Sequence, residues 1–273
     1  MAFGKKTQAG PAPEQDQVAS MALAALGKLH STRLTLAMRL VTTSPMLMHR
    51  WGQKSFIEML HKMVKGVAMP RGHKDLTADY EQSWYRNEQG VLCVPCRMLK
   101  AAFVEGAMGT DGMVTKADIK RQLRVVGHTT RLVLPKGQAM SMDVRIADNN
   151  GSKDIRARAV IPAGATMDIL LSFSPLLPVD KAVAVVGAAG EIIGLCDWRP
   201  DRGGDFGTFR IDHIYKGTAA ERAAIAEACS VPEESIKIPE ELLRAFAALP
   251  DEALPKAGKS LRKIIQNGGA VAS

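Results

Sequence analysis

The segment from Gly187 to Ile214 constrains the fold most, because it joins an apolar helical pattern to an alternating strand through a glycine-rich loop. It reads GAAGEIIGLCDWRPDRGGDFGTFRIDHI. Glycine enters left-handed backbone conformations and lets another backbone approach closely. The segment Thr208–Ile214 sets apolar against polar residues, with the period of a half-buried strand. We therefore expect a helix, a tight loop and a strand in immediate succession. The glycines of the loop are Gly194, Gly203, Gly204 and Gly207.

The same loop carries planar, charged and aromatic side chains between its glycines. They are Asp197, Trp198, Arg199, Asp201 and Arg202. Loops of this kind bind phosphate through backbone N–H groups and guanidinium forks. The alternative interpretation is a tight surface turn whose tryptophan fills the edge of the core.

Upstream of the loop, strand and helix patterns follow in a definite order. Asn150-Gly151 is a strong signal for a hairpin turn, and Asn87–Gly90 marks a second hairpin. Reduced to its essentials, the order is βαββαβ, which predicts an α+β, ferredoxin-like antiparallel sheet with insertions. The predicted strands are Leu34–Val41, Arg131–Leu134, Met140–Ile146, Ile155–Ile161, Met167–Phe173 and Thr208–Tyr215, and the predicted helices are Lys54–Val64, Pro95–Met108, Lys116–Val126 and Val179–Ile193.

Composition divides the chain into three parts. Residues 1–31 are polar and rich in Gly, Pro and Gln, which predicts a flexible N-terminal arm containing a short helix at 18–29. Residues 32–217 form the ferredoxin-like domain, with an insertion at 46–85. Residues 218–273 shift to Ala, Glu, Lys and Leu and predict a helical appendage, with helices at 219–229, 239–248 and 254–266.

The charge balance favours a polyanionic partner, since the formal net charge is +8. No apolar run reaches the length of a membrane span, and no secretory leader pattern opens the sequence. Four cysteines in 273 residues do not suggest a disulfide scaffold. We expect a reduced, cytoplasmic protein that does not engage a membrane.

A cluster of candidate binding residues follows the first strand directly. It consists of His49, Arg50, Trp51 and Lys54, with Arg71 and Lys74 further along the insertion. A tryptophan flanked by cations suits stacking on a base together with pairing to phosphate. The alternative is that Trp51 closes the edge of the core while its neighbours are solvated.

The centre of the sequence is cationic as well. The candidates there are Arg121, Arg124, Arg156 and Arg158. Arg156 and Arg158 alternate along one strand and so share a face, where they can follow a nucleic-acid backbone. A solvated sheet face would show the same pattern.

Nothing in the sequence demands catalysis, a metal or a cofactor. Cys93 and Cys96 have the spacing of half a zinc site, but Cys196 and Cys229 do not supply the second half. Neither a zinc-protease helix motif nor a nucleophile elbow occurs. We expect structural cysteines, no metal, no cofactor and no catalytic residue.

With the βαββαβ order and the sequence GLCDWRPDRGGDFGTFRI, the chain resembles the RAMP superfamily of ferredoxin-like RNA-binding proteins from CRISPR–Cas systems. It is most similar to the backbone subunit that coats the guide RNA. Phage proteins with a GxxDWRPxxGGxFG loop are also similar. The resemblance implies that Gly194, Arg199, Arg202, Gly203, Gly204 and Gly207 belong to the family's loop, and that the insertion at 46–85 reaches towards neighbouring subunits. Some members cut RNA with an Asp after the first strand. No Asp or Glu occurs from Thr42 to Ile57, so cutting is not implied.

Three functions remain open. The first is a non-catalytic protein that assembles side by side along single-stranded RNA, with other CRISPR effector subunits as partners. The second is a self-assembling structural protein or a phage protein that binds single-stranded DNA. The third is an RNA-processing endoribonuclease that uses a histidine such as His49 or His128 as acid or base.

Overall fold

The computed structural model describes residues 33–67, 73–149 and 152–250, together with residues 252, 254, 258–259 and 261–263. The predicted N-terminal arm, Arg71 and most of the predicted helix at 254–266 lie outside the described residues. In chain order the strands are β1 (Leu34–Thr42), β2 (Met46–Leu47), β3 (Cys93–Pro95), β4 (Leu123–Val125), β5 (Thr129–Arg131), β6 (Ser141–Asn149), β7 (Ser152–Ile161), β8 (Thr166–Phe173) and β9 (Phe209–Ile214). The helices are α1 (Gln53–Lys65), α2 (Leu76–Ser83), α3 (Cys96–Gly106), α4 (Lys116–Gln122), α5 (Val179–Ala188), α6 (Ala219–Ala228) and α7 (Glu240–Ala247).

A four-stranded sheet with the order β4–β8–β1–β9 organises the chain. Every neighbouring pair in it is antiparallel. Helix α3 connects β1 to β4, and α5 connects β8 to β9, so the strand order and the connections are those of the split βαβ arrangement. The predicted ferredoxin-like α+β fold is confirmed, because the first and last core strands are direct neighbours.

One face of this sheet builds the main core. Met38 and Leu40 of β1 are fully buried and pair with Ile169 and Met167 of β8 on the same face. The apolar sides of α3 and α5 cover them, with Phe103 fully buried in α3. Alternate residues of a strand point to opposite faces, so Ala37 and Leu170 belong to the other face. Helix α6 lies against β1 and β8.

Two insertions carry the remaining strands. The first follows β1 and contains β2, α1 and α2. The second separates β4 from β8 and contains the long hairpin of β6 and β7, in which Asn149 stands opposite Ser152 as the predicted turn requires. Strand β2 pairs with the base of β7, and α2 packs on β7. The two insertions therefore build one unit beside the sheet.

A second apolar cluster joins the first insertion to the C-terminal segment. Phe56 and Leu60 of α1 are buried together with Phe246 of α7 and with Ile236 and Leu254. Helix α1 ends at Gly66, whose φ of 71° closes the last turn in a left-handed cap. Helix α7 is therefore packed against the insertion.

Several boundaries differ from the sequence predictions. The second core strand is β4, inside the segment 116–126 that was predicted as helix throughout. Leu123 is buried there and Arg124 is exposed, an alternation too short to identify from the sequence. The strand predicted at 131–134 lies at Thr129–Arg131, and Met108 is 61% exposed instead of lining the helix face. Helix α2 was not predicted. Among the described helices, none has the length and apolarity of a membrane span.

Candidate nucleic-acid interface

A cleft of about 510 Å³ lies where the loop between β2 and α1 meets α2 and β7. It brings together predicted residues that are far apart in the sequence, His49 to Lys54 on one wall and Arg156 on the other. Five cationic side chains line it against three carboxylates, so the cleft carries positive charge. The cations are Arg50, Lys54, Lys74, Lys153 and Arg156, and the carboxylates are Glu58, Asp79 and Asp154.

Backbone hydrogen bonds fix the walls of the cleft. The Ala159 N–H of β7 donates to Ser83 Oγ at 2.8 Å, which ties the end of α2 to the hairpin. The Ser83 carbonyl accepts from the Arg50 N–H at 2.7 Å, and the Ala159 carbonyl accepts from the Met48 N–H at 2.8 Å. These bonds tie the loop, the helix and the strand to one another.

Trp51 presents an indole ring at this cleft. The side chain is 47% exposed, and its ring meets the ring of Phe56 edge to face at 5.9 Å. Phe56 belongs to the second apolar cluster, so Trp51 is oriented by a buried residue while much of its surface faces solvent. An exposed ring held in this way can stack on a nucleobase.

Arg50 is engaged inside the protein. It is only 8% exposed, and its guanidinium donates to Glu234 Oε2 at 3.0 Å and to the Glu234 carbonyl at 2.7 Å. Glu233 Oε1 lies 3.7 Å from Arg50 Nε. Arg50 therefore fixes the segment between α6 and α7 against the cleft, and its predicted contact with nucleic acid stays a prediction.

Lys74 and Arg156 meet at Asp154. Lys74 Nζ lies 2.6 Å from Asp154 Oδ1, and Arg156 Nε lies 3.8 Å from Asp154 Oδ2. The Asp154 side chain is 49% exposed. Exposed ion pairs contribute little to stability, so an incoming phosphate can take these cations over at small cost.

His49, Asp197 and Arg158 form a chain of polar contacts beside the cleft. His49 Nδ1 lies 3.4 Å from Asp197 Oδ2, and Arg158 Nη1 lies 2.9 Å from the same oxygen. The hydrogen bond with His49, helped by the charge of Arg158, lowers the pKa of Asp197 despite its burial. Arg158 is 3% exposed, and burial lowers its pKa although Asp197 acts in the opposite direction. Arg156 and Arg158 share a strand, but only Arg156 lines the cleft.

The glycine-rich loop holds this chain in place. The Asp197 N–H donates to the Leu47 carbonyl at 3.0 Å, and the Gly207 N–H donates to the Pro45 carbonyl at 2.8 Å. Trp198 has a φ of 52°, unusual for a bulky residue. The Arg145 guanidinium of the hairpin lies 4.7 Å from its ring centroid and 5.3 Å from that of Phe206. The loop therefore contacts the hairpin through Trp198 and Phe206.

Other predicted loop residues belong to the framework of the loop itself. Arg199 donates to the Cys196 carbonyl at 3.0 Å and to Asp201 at 3.1 Å. Gly203 caps a short turn with a φ of 72°, and a Cβ at Gly204 would lie 2.0 Å from the Trp198 carbonyl oxygen. Arg202 extends into solvent, with 69% of its side chain exposed. Their predicted contact with nucleic acid stays a prediction.

Arg121 and Arg124 are exposed on α4 and on the edge strand β4, among elements that do not line the cleft.

All four cysteines are buried and free, and burial raises the pKa of Cys93 to about 12. Within the described residues, no group of three His, Cys, Asp or Glu side chains is placed to hold a metal ion.

Sequence reasoning missed the acidic partners of the predicted cations. Asp197 lies 148 residues from His49, and Glu234 lies 184 residues from Arg50. No local pattern connects residues at such separations. Lys153 and Asp154 lie on β7 close to Arg156. Only the predicted hairpin indicates that these residues come together, and the structure places all three at the cleft.

Among the many solved structures similar to this chain are the following three proteins. A structure of the Type III-B Cmr-beta bound to cognate target RNA matches 74% of this chain and 66% of its own, with 12% identity and a TM-score of 0.39. Cmr6 from Pyrococcus furiosus matches 66% of this chain and 99% of its own, with 8% identity and a TM-score of 0.38. Csc2 from Thermofilum pendens matches 89% and 80%, with 12% identity and a TM-score of 0.31.

With TM-scores below 0.5, the matches carry no argument on their own. The fold is established by the strand order and pairing of the sheet. The chain spans slightly less than two thirds of the Cmr-beta chain. No protein-family model and no curated protein matches the sequence.

Proposed function

We propose that this protein binds single-stranded RNA in the cleft, without cutting it, as a subunit of a CRISPR-type ribonucleoprotein complex. The observation that carries the proposal is the exposed indole of Trp51, which packs edge to face on Phe56 beside a cleft lined by cations. Trp51 stacks on a base, while Lys54, Lys74, Lys153 and Arg156 contact the phosphates on either side. The CRISPR-type complex follows from the resemblance of the loop at Gly194–Phe209 and from the βαββαβ order.

Binding of this kind is mostly electrostatic and therefore depends steeply on salt. We expect fluorescence anisotropy with single-stranded RNA, single-stranded DNA and duplex RNA to show a preference for single strands, with an affinity that falls as salt rises. Lys54→Ala combined with Arg156→Ala should reduce the salt slope by about two, since each phosphate contact contributes about one. Lys136→Ala combined with Arg244→Ala removes the same two residue types from exposed positions outside the cleft and should leave the slope unchanged.

Two results contradict the proposal: an affinity that ignores salt, or an equal loss in the control variant. A preference for single-stranded DNA favours the phage protein instead.

Trp51→Ala should weaken binding by about 1–3 kcal/mol, the usual contribution of one base stacking on an aromatic ring. Trp51→Phe should retain most of the affinity because it keeps an aromatic face.

Assembly along the strand is the second part of the proposal. The hairpin presents exposed apolar side chains on one face, with Ile146 directly opposite Ile155 and Val144 two residues along. Contiguous exposed apolar surface marks interaction sites. We assign this face to a neighbouring copy of the same chain. Assembly that survives nuclease treatment favours the structural protein over the RNA-coating subunit.

One observation favours a cleaving enzyme as the second candidate. His49 lies at the cleft with Nδ1 directed at Asp197, which leaves Nε2 to accept or donate a proton. A histidine with a carboxylate partner, beside cations that stabilise phosphate charge, can catalyse attack of a 2′-hydroxyl on the adjacent phosphate. Cleavage of end-labelled RNA in the presence of a chelator, lost in His49→Gln with RNA binding retained, would establish it. RNA that stays intact leaves the non-catalytic proposal standing.

A further inference from the structure

Three cations lie at the end of the sheet where β1 and β4 begin, on elements separate from those that form the cleft. Arg33 precedes β1, Arg124 lies in the edge strand β4, and Lys100 projects from α3. We call these three residues the sheet-edge cations. Ser172 of β8 stands between them, because Arg124 is its direct partner in the sheet and Arg33 Nε donates to its hydroxyl at 3.0 Å.

Hydrogen bonds to backbone carbonyls hold two of these side chains in place. Arg33 Nη2 donates to the Gln122 carbonyl at 2.6 Å and to the Ser172 carbonyl at 2.8 Å. Lys100 Nζ donates to the carbonyls of Ile119 and Leu123, at the end of α4. Among the described residues these bonds use Nε and Nη2 of Arg33, so the N–H groups of its Nη1 remain available, as do a third Lys100 hydrogen and the exposed Arg124 guanidinium.

The sheet-edge cations lack the carboxylate partners that three part-buried or buried arginines of this protein have. Arg39 is paired with Asp168, Arg158 with Asp197 and Arg50 with Glu234. In the described part of the chain, no carboxylate lies within ion-pair distance of Arg33, Lys100 or Arg124. Burial, then the charges of Arg33 and Arg124, lower the pKa of Lys100 to about 8. Burial and Arg124 likewise lower the pKa of Arg33.

Neighbouring like charges that keep unused N–H donors favour a bound anion, because the anion offsets their repulsion and accepts hydrogen bonds from the donors. We propose that Arg33, Lys100 and Arg124 form a second phosphate site, which takes one phosphodiester group of the bound nucleic acid outside the cleft. The source of the phosphate rests on the proposed function. The affinity for a tetrahedral oxyanion rests only on the geometry of the sheet-edge cations.

Thermal unfolding in sulfate against chloride at equal ionic strength tests the site, with sulfate standing in for phosphate because its charge is constant with pH. We call the rise in Tm from chloride to sulfate the sulfate increment. Sulfate also stabilises proteins generally, so the test compares the sulfate increment of each variant with that of the wild type. Arg124→Glu supplies the missing carboxylate. It should raise Tm in chloride and lose several degrees of the sulfate increment. The increment of the wild type should itself shrink from pH 7 to pH 9, as Lys100 loses its proton.

Arg121→Glu is the matched control, because it makes the same charge change at an exposed position three residues away and should keep the wild-type increment. Arg124→Met removes the cation without adding a charge and should also lose the increment. An unchanged increment in both Arg124 variants overturns the proposal, as does an equal loss in Arg121→Glu.

RNA binding separates this inference from the proposed function. Arg124→Glu should reduce the salt slope of RNA binding by about one, the contribution of one phosphate contact. In the background of the cleft variant Lys54→Ala with Arg156→Ala, Arg124→Glu should remove the same part of the sulfate increment as it does in the wild type. If the wild type binds no RNA and Arg124→Glu still loses the increment, the anion site stands and the proposed function fails. If RNA binding has the expected slope but Arg124→Glu leaves both quantities unchanged, the inference fails alone.

Discussion

Gly203 and Gly207 share a left-handed backbone conformation but differ in what surrounds them. Both have φ values near 70°, and no atom lies within 4 Å of a Cβ built at Gly203. A Cβ at Gly207 would stand 2.0 Å from the Leu195 carbonyl oxygen. That carbonyl belongs to the backbone that leads to Asp197, so Gly207 keeps the loop closed against the cleft.

We predict that Gly203→Ala costs about 1 kcal/mol of unfolding free energy, the price of a left-handed alanine alone. Gly207→Ala should cost about 3 kcal/mol, because the backbone must also move to remove the clash. Urea unfolding of both variants measures the difference. Equal losses would show that the close approach at Gly207 does not constrain the loop.

Asp168 binds two side chains on the sheet face opposite the main core. It accepts two hydrogen bonds from Arg39, at 2.8 and 2.9 Å, and one from the Tyr215 hydroxyl at 2.8 Å. Burial acts to raise the pKa of Asp168, but these hydrogen bonds outweigh it and the pKa is lowered. A carboxyl with a lowered pKa stabilises the fold at neutral pH, and this stability is lost as the pH falls through the folded-state pKa.

Asp168→Asn should therefore destabilise the protein by about 1 kcal/mol at pH 7, a modest value because the pair is about one third exposed. The difference from the wild type should shrink as the pH falls below about 4, the pKa of an unfolded Asp, and should vanish only below the lowered folded-state pKa, where the wild-type carboxyl is protonated in both states. Asp212→Asn, in an exposed pair with Arg210, is the control and should change little at either pH. A constant difference from pH 7 to pH 3 would refute the ionised network.

At the scale of elements, the cleft depends on a core that the sheet does not provide. Helix α1 carries Phe56, which orients Trp51, and it packs on α7 through Leu60 and Phe246. The second apolar cluster is separate from the main core, so it can open while the sheet stays folded. Helix α7 thus supports the proposed RNA site through its packing on α1.

Phe246→Ala should cost about 3–5 kcal/mol within this cluster, because Phe246 is 1% exposed. Hydrogen exchange should accelerate in α1 and α7 but not in β1 and β8, and RNA affinity should fall with it. Met108→Ala, at a 61% exposed site next to the main core, serves as the control. Faster exchange throughout the sheet would mean that the two clusters form a single cooperative unit.

At the scale of the whole molecule, the hairpin combines two chemical surfaces. Arg156 lies at the cleft, while Val144, Ile146 and Ile155 form an apolar face that is exposed. A ribbon of this kind can contact the nucleic acid and a neighbouring copy at the same time, which would couple binding to assembly.

Val144→Lys combined with Ile146→Lys should raise the protein concentration needed for assembly on single-stranded RNA about tenfold, a loss of about 1.4 kcal/mol per contact. Sedimentation velocity with a long RNA measures assembly, and a short oligonucleotide that binds one copy measures intrinsic affinity, which should not fall. Leu176→Lys, 54% exposed outside the hairpin, is the control. Unchanged assembly would show that the interface between copies does not include this face of the hairpin.

The sequence by itself determined the fold class, the turn at Asn87–Gly90, the helix predicted at Lys54–Val64 and the close-packed glycine loop, because these depend on local periodicity and on backbone conformation. It placed His49, Trp51 and Lys54 beside one strand, but it could not pair Arg50 with Glu234 or His49 with Asp197. It also missed β4, since three residues are too few to show a period. Tertiary structure alone decided which cations face carboxylates and which remain uncompensated, because charge pairing depends on distances in space that separation along the chain does not encode.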